Sequence, residues 1–131
     1  QLIDFATEIR ESSNVCSIFI DTDITEKELE LILNTNINAI ELYTGPYAEA
    51  CLSECKSEIA NEISKIRILA ESAKEKGLKI NAGHDLNAKN LPALRELDLI
   101  DEVSIGHAII CESLSKGFEK TVNEYIDICN G

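Results

Sequence analysis

The chain has no methionine and no tryptophan, only two prolines and two histidines, and just three Phe and three Tyr in 131 residues. With so few aromatics the core must come from Ile, Leu, Val and Ala, and so few prolines leave long stretches free to run as regular helix or strand. Basic residues are also scarce: 12 Lys and Arg stand against 24 Asp and Glu, a net charge of −12. A polyanion would meet repulsion over most of such a surface, which argues against nucleic acid and anionic membrane as partners. A small phosphorylated molecule is not excluded, because a local nest of backbone N–H groups binds phosphate even in an acidic protein. No apolar run approaches the roughly 18 residues that a membrane span needs. No charged-then-apolar stretch stands at the front of the sequence, and a soluble, cytoplasmic protein is expected. The five cysteines, at 16, 51, 55, 111 and 129, are odd in number and lack C-x-x-C spacing. Most alternate with Ile, Leu and Val, so reduced, buried thiols are expected.

What is present is 44% hydrophobic residues, enough for the core of one domain. Leu2, Phe5, Ala6 and Ile9 follow a helical spacing from the outset, and the chain starts at Gln1, so a piece of a longer polypeptide is expected. Residues 15–20, β-branched and aromatic, predict a buried strand ending at Asp21. Thr25 and Glu28 have the spacing of a capping box, and Leu29, Ile32 and Leu33 then predict a helix of about three turns. A second strand is predicted over 38–43, ended by Thr44-Gly45-Pro46. Cys51, Cys55, Ile59, Ile63, Ile66, Ala70 and Ala73 step by three or four and predict one long helix with Gly77 as its C-cap. Residues 78–82 predict a third strand, 92–97 a short helix opened by Pro92, and 102–105 a fourth strand. Leu114, Phe118, Val122, Tyr125, Ile126 and Cys129 predict a last helix with one apolar face.

Strands alternating with helices predict an α/β fold of parallel strands joined by right-handed crossovers. That local pattern suits an open doubly wound sheet of the receiver or flavodoxin kind as well as a barrel. Four units alone would leave two exposed edges, whereas two such halves close a TIM (β/α)8 barrel of about 250 residues. The expectation is that residues 1–131 form a single region, the last four β/α units of such a barrel, with the N-terminal half outside this sequence.

Parallel α/β folds place their chemistry at the C-terminal ends of the strands. Those ends carry Asp21, Glu41 with Thr44 and Gly45, Gly83 with His84, and Gly106 with His107. Both histidines follow a glycine, in Asn-Ala-Gly-His and Ser-Ile-Gly-His. Either each Gly-His is a turn with a polar stopper, or the pair forms a phosphate cradle in which glycine lets the backbone approach an anion. His84 is suited to general acid or base work. Glu41, between Ile40 and Leu42, faces either the barrel interior or the helices; inside, a carboxylate needs a partner or a task. A metal site from Glu41, His84 and His107 lacks a ligand signature, and neither metal nor cofactor is expected. The acidic run 98–102 and the Lys/Glu-rich face of the long helix are expected as solvated surface.

At Glu41-Leu42-Tyr43-Thr44-Gly45, Asn81-Ala82-Gly83-His84 and Ser104-Ile105-Gly106-His107-Ala108-Ile109-Ile110 the chain resembles the C-terminal half of pyridoxine 5′-phosphate synthase, and the resemblance runs in order from Ser17 to the last helix. It implies a cytosolic barrel enzyme, usually a homo-octamer, which condenses 1-deoxy-D-xylulose 5-phosphate with 3-amino-2-oxopropyl phosphate to pyridoxine 5′-phosphate, phosphate and water. It implies an active-site role for Glu41, a proton donor in His84, and phosphate binding by Asp85, Gly106 and His107. Many relatives have glycine at the position of Asp85, whose carboxylate must turn away from a phosphate or repel it. The remaining acid/base residues of that family belong to the other half of the barrel. The rival to this enzyme is a non-catalytic α/β phosphate-binding or regulatory module, which would need neither Glu41 nor His84 for chemistry.

Overall fold

The computed structural model describes residues 2–12 and 14–131; Gln1, Ser13 and the side chain of Leu2 lie outside the described set. Helix α1 (Leu2–Glu11) precedes four strand-helix units. These run β1 (Ser17–Ile20), α2 (Glu26–Leu33), β2 (Ala39–Tyr43), α3 (Gly45–Leu52), α4 (Lys56–Glu75), β3 (Lys79–Gly83), α5 (Leu91–Arg95), β4 (Glu102–Ser104), α6 (His107–Lys116) and α7 (Phe118–Asn130). All strand pairs are parallel and their order, β1-β2-β3-β4, is the order of the chain.

That order separates the two candidate architectures. A doubly wound sheet reverses its strand order and takes helices on both faces, whereas successive right-handed crossovers without reversal bring every helix to one face. The burial follows the second pattern. Ile40, Leu42, Ile80 and Ala82 alternate onto the helix-facing side and are buried completely. The other face carries Phe19, Glu41, Asn81 and Glu102 in one cross-strand row. This is the arrangement of half a (β/α)8 barrel, with the row on the side that faces the barrel axis.

Several local expectations need correcting. Strand β1 is buried on one face only: Ile20 is inside, but Phe19 and, just ahead of the strand, Val15 are exposed. Of the opening apolar stripe Ala6 is buried and Phe5 is exposed. Helix α2 has eight residues rather than three full turns, and its capping box is present, with Thr25 Oγ1 accepting from Glu28 N–H and the Glu28 carboxylate accepting from Thr25 N–H. The Thr25 hydroxyl also donates to the Glu28 carboxylate at 2.6 Å, and that bond first and the Thr25 N–H second lower the Glu28 pKa.

Gly45-Pro46 ends β2 but opens α3, because proline at the start of a helix gives up an N–H that has no partner there. The long apolar stripe is therefore two helices, broken at Ser53-Glu54-Cys55, where Glu54 takes φ 55°. Gly117, at φ 88°, likewise divides the predicted last helix, and Leu114 and Phe118 at that break are exposed while Tyr125 is buried. Only Cys16 is a buried cysteine; Cys51 and Cys55 are half-buried, Cys111 and Cys129 exposed, and all five are free thiols.

Two acidic residues join elements together: Asp101 is exposed, as expected of the run 98–102, whereas Glu62 is buried against expectation. Glu62 on α4 is buried, with Lys65 Nζ donating to one oxygen at 2.8 Å and Thr22 Oγ1 to the other at 3.3 Å. Asp101 accepts from the Ile80 N–H at 2.7 Å and from Lys74 Nζ, which ties the turn before β4 to β3 and α4. Partial burial works against its ionised form, but the Lys74 ammonium and the Ile80 N–H outweigh that and the pKa falls. No helix among the described residues is long and apolar enough to cross a membrane.

Candidate functional site

The C-terminal ends of β2, β3 and β4 border one cleft of about 740 Å³, lined by Tyr43, Gly45, His84, Asp85, Gly106 and His107 among others. Parallel strands deliver these residues to one end of the sheet, and the turns that follow them set the geometry.

The β2 end is fixed by Thr44. It is completely buried, and its hydroxyl stands 2.8 Å from the Gly83 carbonyl oxygen and 2.7 Å from that of His84. A single hydroxyl proton is shared between those two acceptors, and the Thr44 N–H adds a third bond, to Gly83 O. Because this hydroxyl is engaged with β3, it does not cap α3. Gly45 is required by Tyr43: a Cβ there would lie 2.4 Å from the Tyr43 ring. The ring packs edge-on against His84, with centroids 4.8 Å apart, and contacts Phe19 on the other side.

At the β3 end, Gly83 leaves room for Glu41. A Cβ on Gly83 would stand 2.6 Å from Glu41 Oε1, so the carboxylate lies across β3 on the axis-facing side of the sheet. This settles which way Glu41 points. Next come His84 at φ 97° and Asp85 at φ 56°, and Asp85 Oδ2 is 2.8 Å from His84 Nδ1. The Asp85 carboxylate is thus turned to the imidazole.

The loop beyond is held from below. Buried Asn90 donates to Asp85 O and accepts from the Asn87 N–H, Tyr47 OH donates to Asn90 O, and Tyr125 OH accepts from the Ala88 N–H while donating to Glu112. Burial and the Glu112 carboxylate push the Tyr125 phenol up to about 12, so it keeps its proton for that bond. The Asn87 to Asn90 stretch went unread in the sequence, although asparagines three apart between regular elements are a turn signal.

At the β4 end Gly106 is the N-cap of α6, with no side chain closing the helix start. A Cβ on Gly106 would meet nothing within 4 Å, so its lack of a side chain answers no crowding within the chain. The N-termini of both α3 and α6 border the cleft, and the unpaired N–H groups and dipole of a helix start favour an anion. The His107 ring sits beside Cys111, Sγ 3.4 Å from Nε2. Of the predicted residues, His84, Asp85, Gly106 and His107 share the cleft, while Glu41 lies beside Gly83 on the axis-facing row. Asp21 lies at the end of β1 and does not line the cleft. Among the described residues no group of three or more His, Cys, Asp or Glu is placed to hold a metal ion.

Comparison with known proteins bears on this site directly. The family described as "Pyridoxal phosphate biosynthesis protein PdxJ" matches residues 1–131. The chain belongs to the PdxJ family. Curated relatives named pyridoxine 5′-phosphate synthase include one from Chelativorans sp. (strain BNC1), 41% identical over 86% of this chain and 45% of its own length. Another, from Chlorobium phaeobacteroides (strain BS1), is 35% identical over 99% of this chain and 52% of its own. A third, from Porphyromonas gingivalis, is 42% identical over 85% and 44%. The chain spans about half the length of the curated relatives it matches. The PdxJ match covers every strand end that borders the cleft.

Proposed function

We propose that this chain supplies the C-terminal half of the barrel of a pyridoxine 5′-phosphate synthase, an enzyme that condenses 1-deoxy-D-xylulose 5-phosphate with 3-amino-2-oxopropyl phosphate to give pyridoxine 5′-phosphate, phosphate and water. The observation that carries the reading is the convergence of a histidine and two uncapped helix starts on one cleft, beside a carboxylate on the barrel-axis side of the same sheet.

The roles follow from chemistry. Ring closure moves protons on and off carbon and oxygen as an amine joins a ketone, a phosphate leaves and water is lost. Glu41 deprotonates or orients an intermediate, and His84 delivers a proton to a leaving hydroxyl. The backbone of Asp85, Gly106 and His107 holds a substrate phosphate and so fixes the reacting carbons in place, which lowers the entropic part of the barrier. The net charge of −12 disfavours nucleic acid and anionic membrane but does not exclude small phosphorylated substrates, which local N–H groups can hold. A cytoplasmic homo-octamer is part of the same proposal, as is the condensation-transferase class.

The other half of the barrel is needed to complete the site, so the 131-residue chain alone is expected to be inactive. The test is product formation from the two phosphorylated substrates by the complete polypeptide, beside the isolated 131-residue chain. Product from the complete polypeptide only supports the reading. Turnover by the isolated chain refutes the split of the site, and phosphate binding without product, surviving Glu41→Gln, favours a non-catalytic module.

A further inference from the structure

Side chains of consecutive residues diverge in an ordinary strand, so a hydrogen bond between residues i and i+1 calls for an unusual chain path. His84 and Asp85 have one. Both lie at positive φ, 97° and 56°, a region that L side chains rarely adopt. Such a path persists only where its surroundings hold it, and every carbonyl of the segment is held. Thr44 Oγ1 reaches the oxygens of Gly83 and His84, and Asn90 Nδ2 donates to that of Asp85. Thr44 and Asn90 are both buried, so these anchors are shielded from water.

The product of this path is the 2.8 Å contact between Asp85 Oδ2 and His84 Nδ1. We propose that Asp85 is a positioning residue, whose carboxylate accepts the Nδ1 proton of His84, fixes the tautomer and plane of the ring, and leaves Nε2 as the nitrogen that exchanges protons with substrate. An ionised carboxylate only accepts, so the bond requires the hydrogen on Nδ1. The Tyr43 ring, edge-on at 4.8 Å, limits the imidazole from another side. The inference rests on His84 as the proton donor, and it gives the Asp85 carboxylate work that its backbone N–H toward phosphate does not need.

The test uses the complete polypeptide with Asp85→Gly and Asp85→Asn. Glycine relaxes the positive φ and keeps the backbone N–H, and asparagine tolerates the same conformation, so neither variant threatens folding. Ring ¹⁵N NMR of the neutral His84 imidazole, assigned by its loss in His84→Ala, is expected to show hydrogen on Nδ1 in the wild type and a loss of that preference in both variants. The kcat is expected to fall about tenfold or more, part of the roughly 10²–10⁴-fold that a positioned proton-transfer group supplies, with KM for either phosphorylated substrate little changed. An unaltered tautomer in Asp85→Gly overturns the proposal, as does a raised KM with intact kcat, which would restrict Asp85 to phosphate. If the tautomer changes as expected while Asp85→Gly and His84→Ala both keep wild-type kcat, Asp85 does orient the ring and the donor role of His84 is what fails.

Discussion

The Glu41 carboxylate occupies the space that a side chain on Gly83 would need: Oε1 lies 2.6 Å from where that Cβ would be, and Ser104 Cβ 3.1 Å from it. Glycine at the end of β3 is thus tied to a carboxylate on the neighbouring strand, and the motifs that contain them are one unit in space.

Gly83→Ala must therefore displace the carboxylate. Oε1 is the far end of a flexible side chain and can swing aside, so the stability cost should lie at the low end of the about 1–3 kcal/mol that overpacking brings, while activity of the complete polypeptide should fall because Glu41 moves. In an Glu41→Ala background the same substitution should cost less, since its principal clash is gone; urea unfolding of the four species in a double-mutant cycle measures the difference. Equal costs in both backgrounds would separate the two residues.

Gly106→Ala should behave in the opposite way. The new methyl meets nothing within 4 Å and the residue has φ −117°, so stability should stay level or rise by up to about 1 kcal/mol as the unfolded chain loses freedom. The methyl would nonetheless border the cleft at the start of α6, so KM for the phosphorylated substrates should rise. A stability scan and a KM determination read the two effects separately.

Thr44→Val removes the shared hydroxyl, so the His84 carbonyl loses its Thr44 partner while the Gly83 carbonyl keeps only the residue-44 N–H. Destabilisation of about 1–3 kcal/mol is expected. Because the same hydroxyl helps hold His84 at positive φ, kcat should fall with it, whereas Thr44→Ser should keep most of both. Denaturant midpoints and steady-state kinetics check this.

Much of the architecture was legible because its signals are local. Four short runs bounded by turn residues gave four strands to within two residues, and Thr25 with Glu28 gave the start of α2. The misreadings came where two elements share one periodicity: Cys51 and Cys55 keep a helical step across a break whose only local mark is Glu54 at positive φ. Gly117 marked a similar break but was run through, because apolar residues continue on both sides of it. Long-range partners left no trace in the pattern: Asp101 is exposed as read, but its tie to Lys74, 27 positions away, was not legible. At the site the residue types at the strand ends were readable. The Asp85 contact with His84 was not, because it depends on two successive backbone angles that neither residue prefers.

Asp101 also predicts a pH dependence. Its folded pKa is depressed, so its stabilising contribution is present above the unfolded value, about 3.9, and is lost as pH falls through the lower folded value. Asp101→Asn should cost about 1 kcal/mol near neutrality, a modest figure because solvent screens this half-exposed pair. The gap between wild type and variant should close as the pH is lowered below the folded pKa. Thermal unfolding across that range reads it, and a gap that stays constant with pH would remove the Lys74 pairing as its cause.

The central claim is that the cleft at the ends of β2, β3 and β4 performs proton transfer on phosphorylated substrates. Its most direct test is formation of pyridoxine 5′-phosphate by the complete polypeptide, run beside His84→Ala at saturating concentrations of both substrates. The account predicts that kcat falls by roughly 100-fold or more in the variant while the fold is kept. A variant that turns over at the wild-type rate would contradict it.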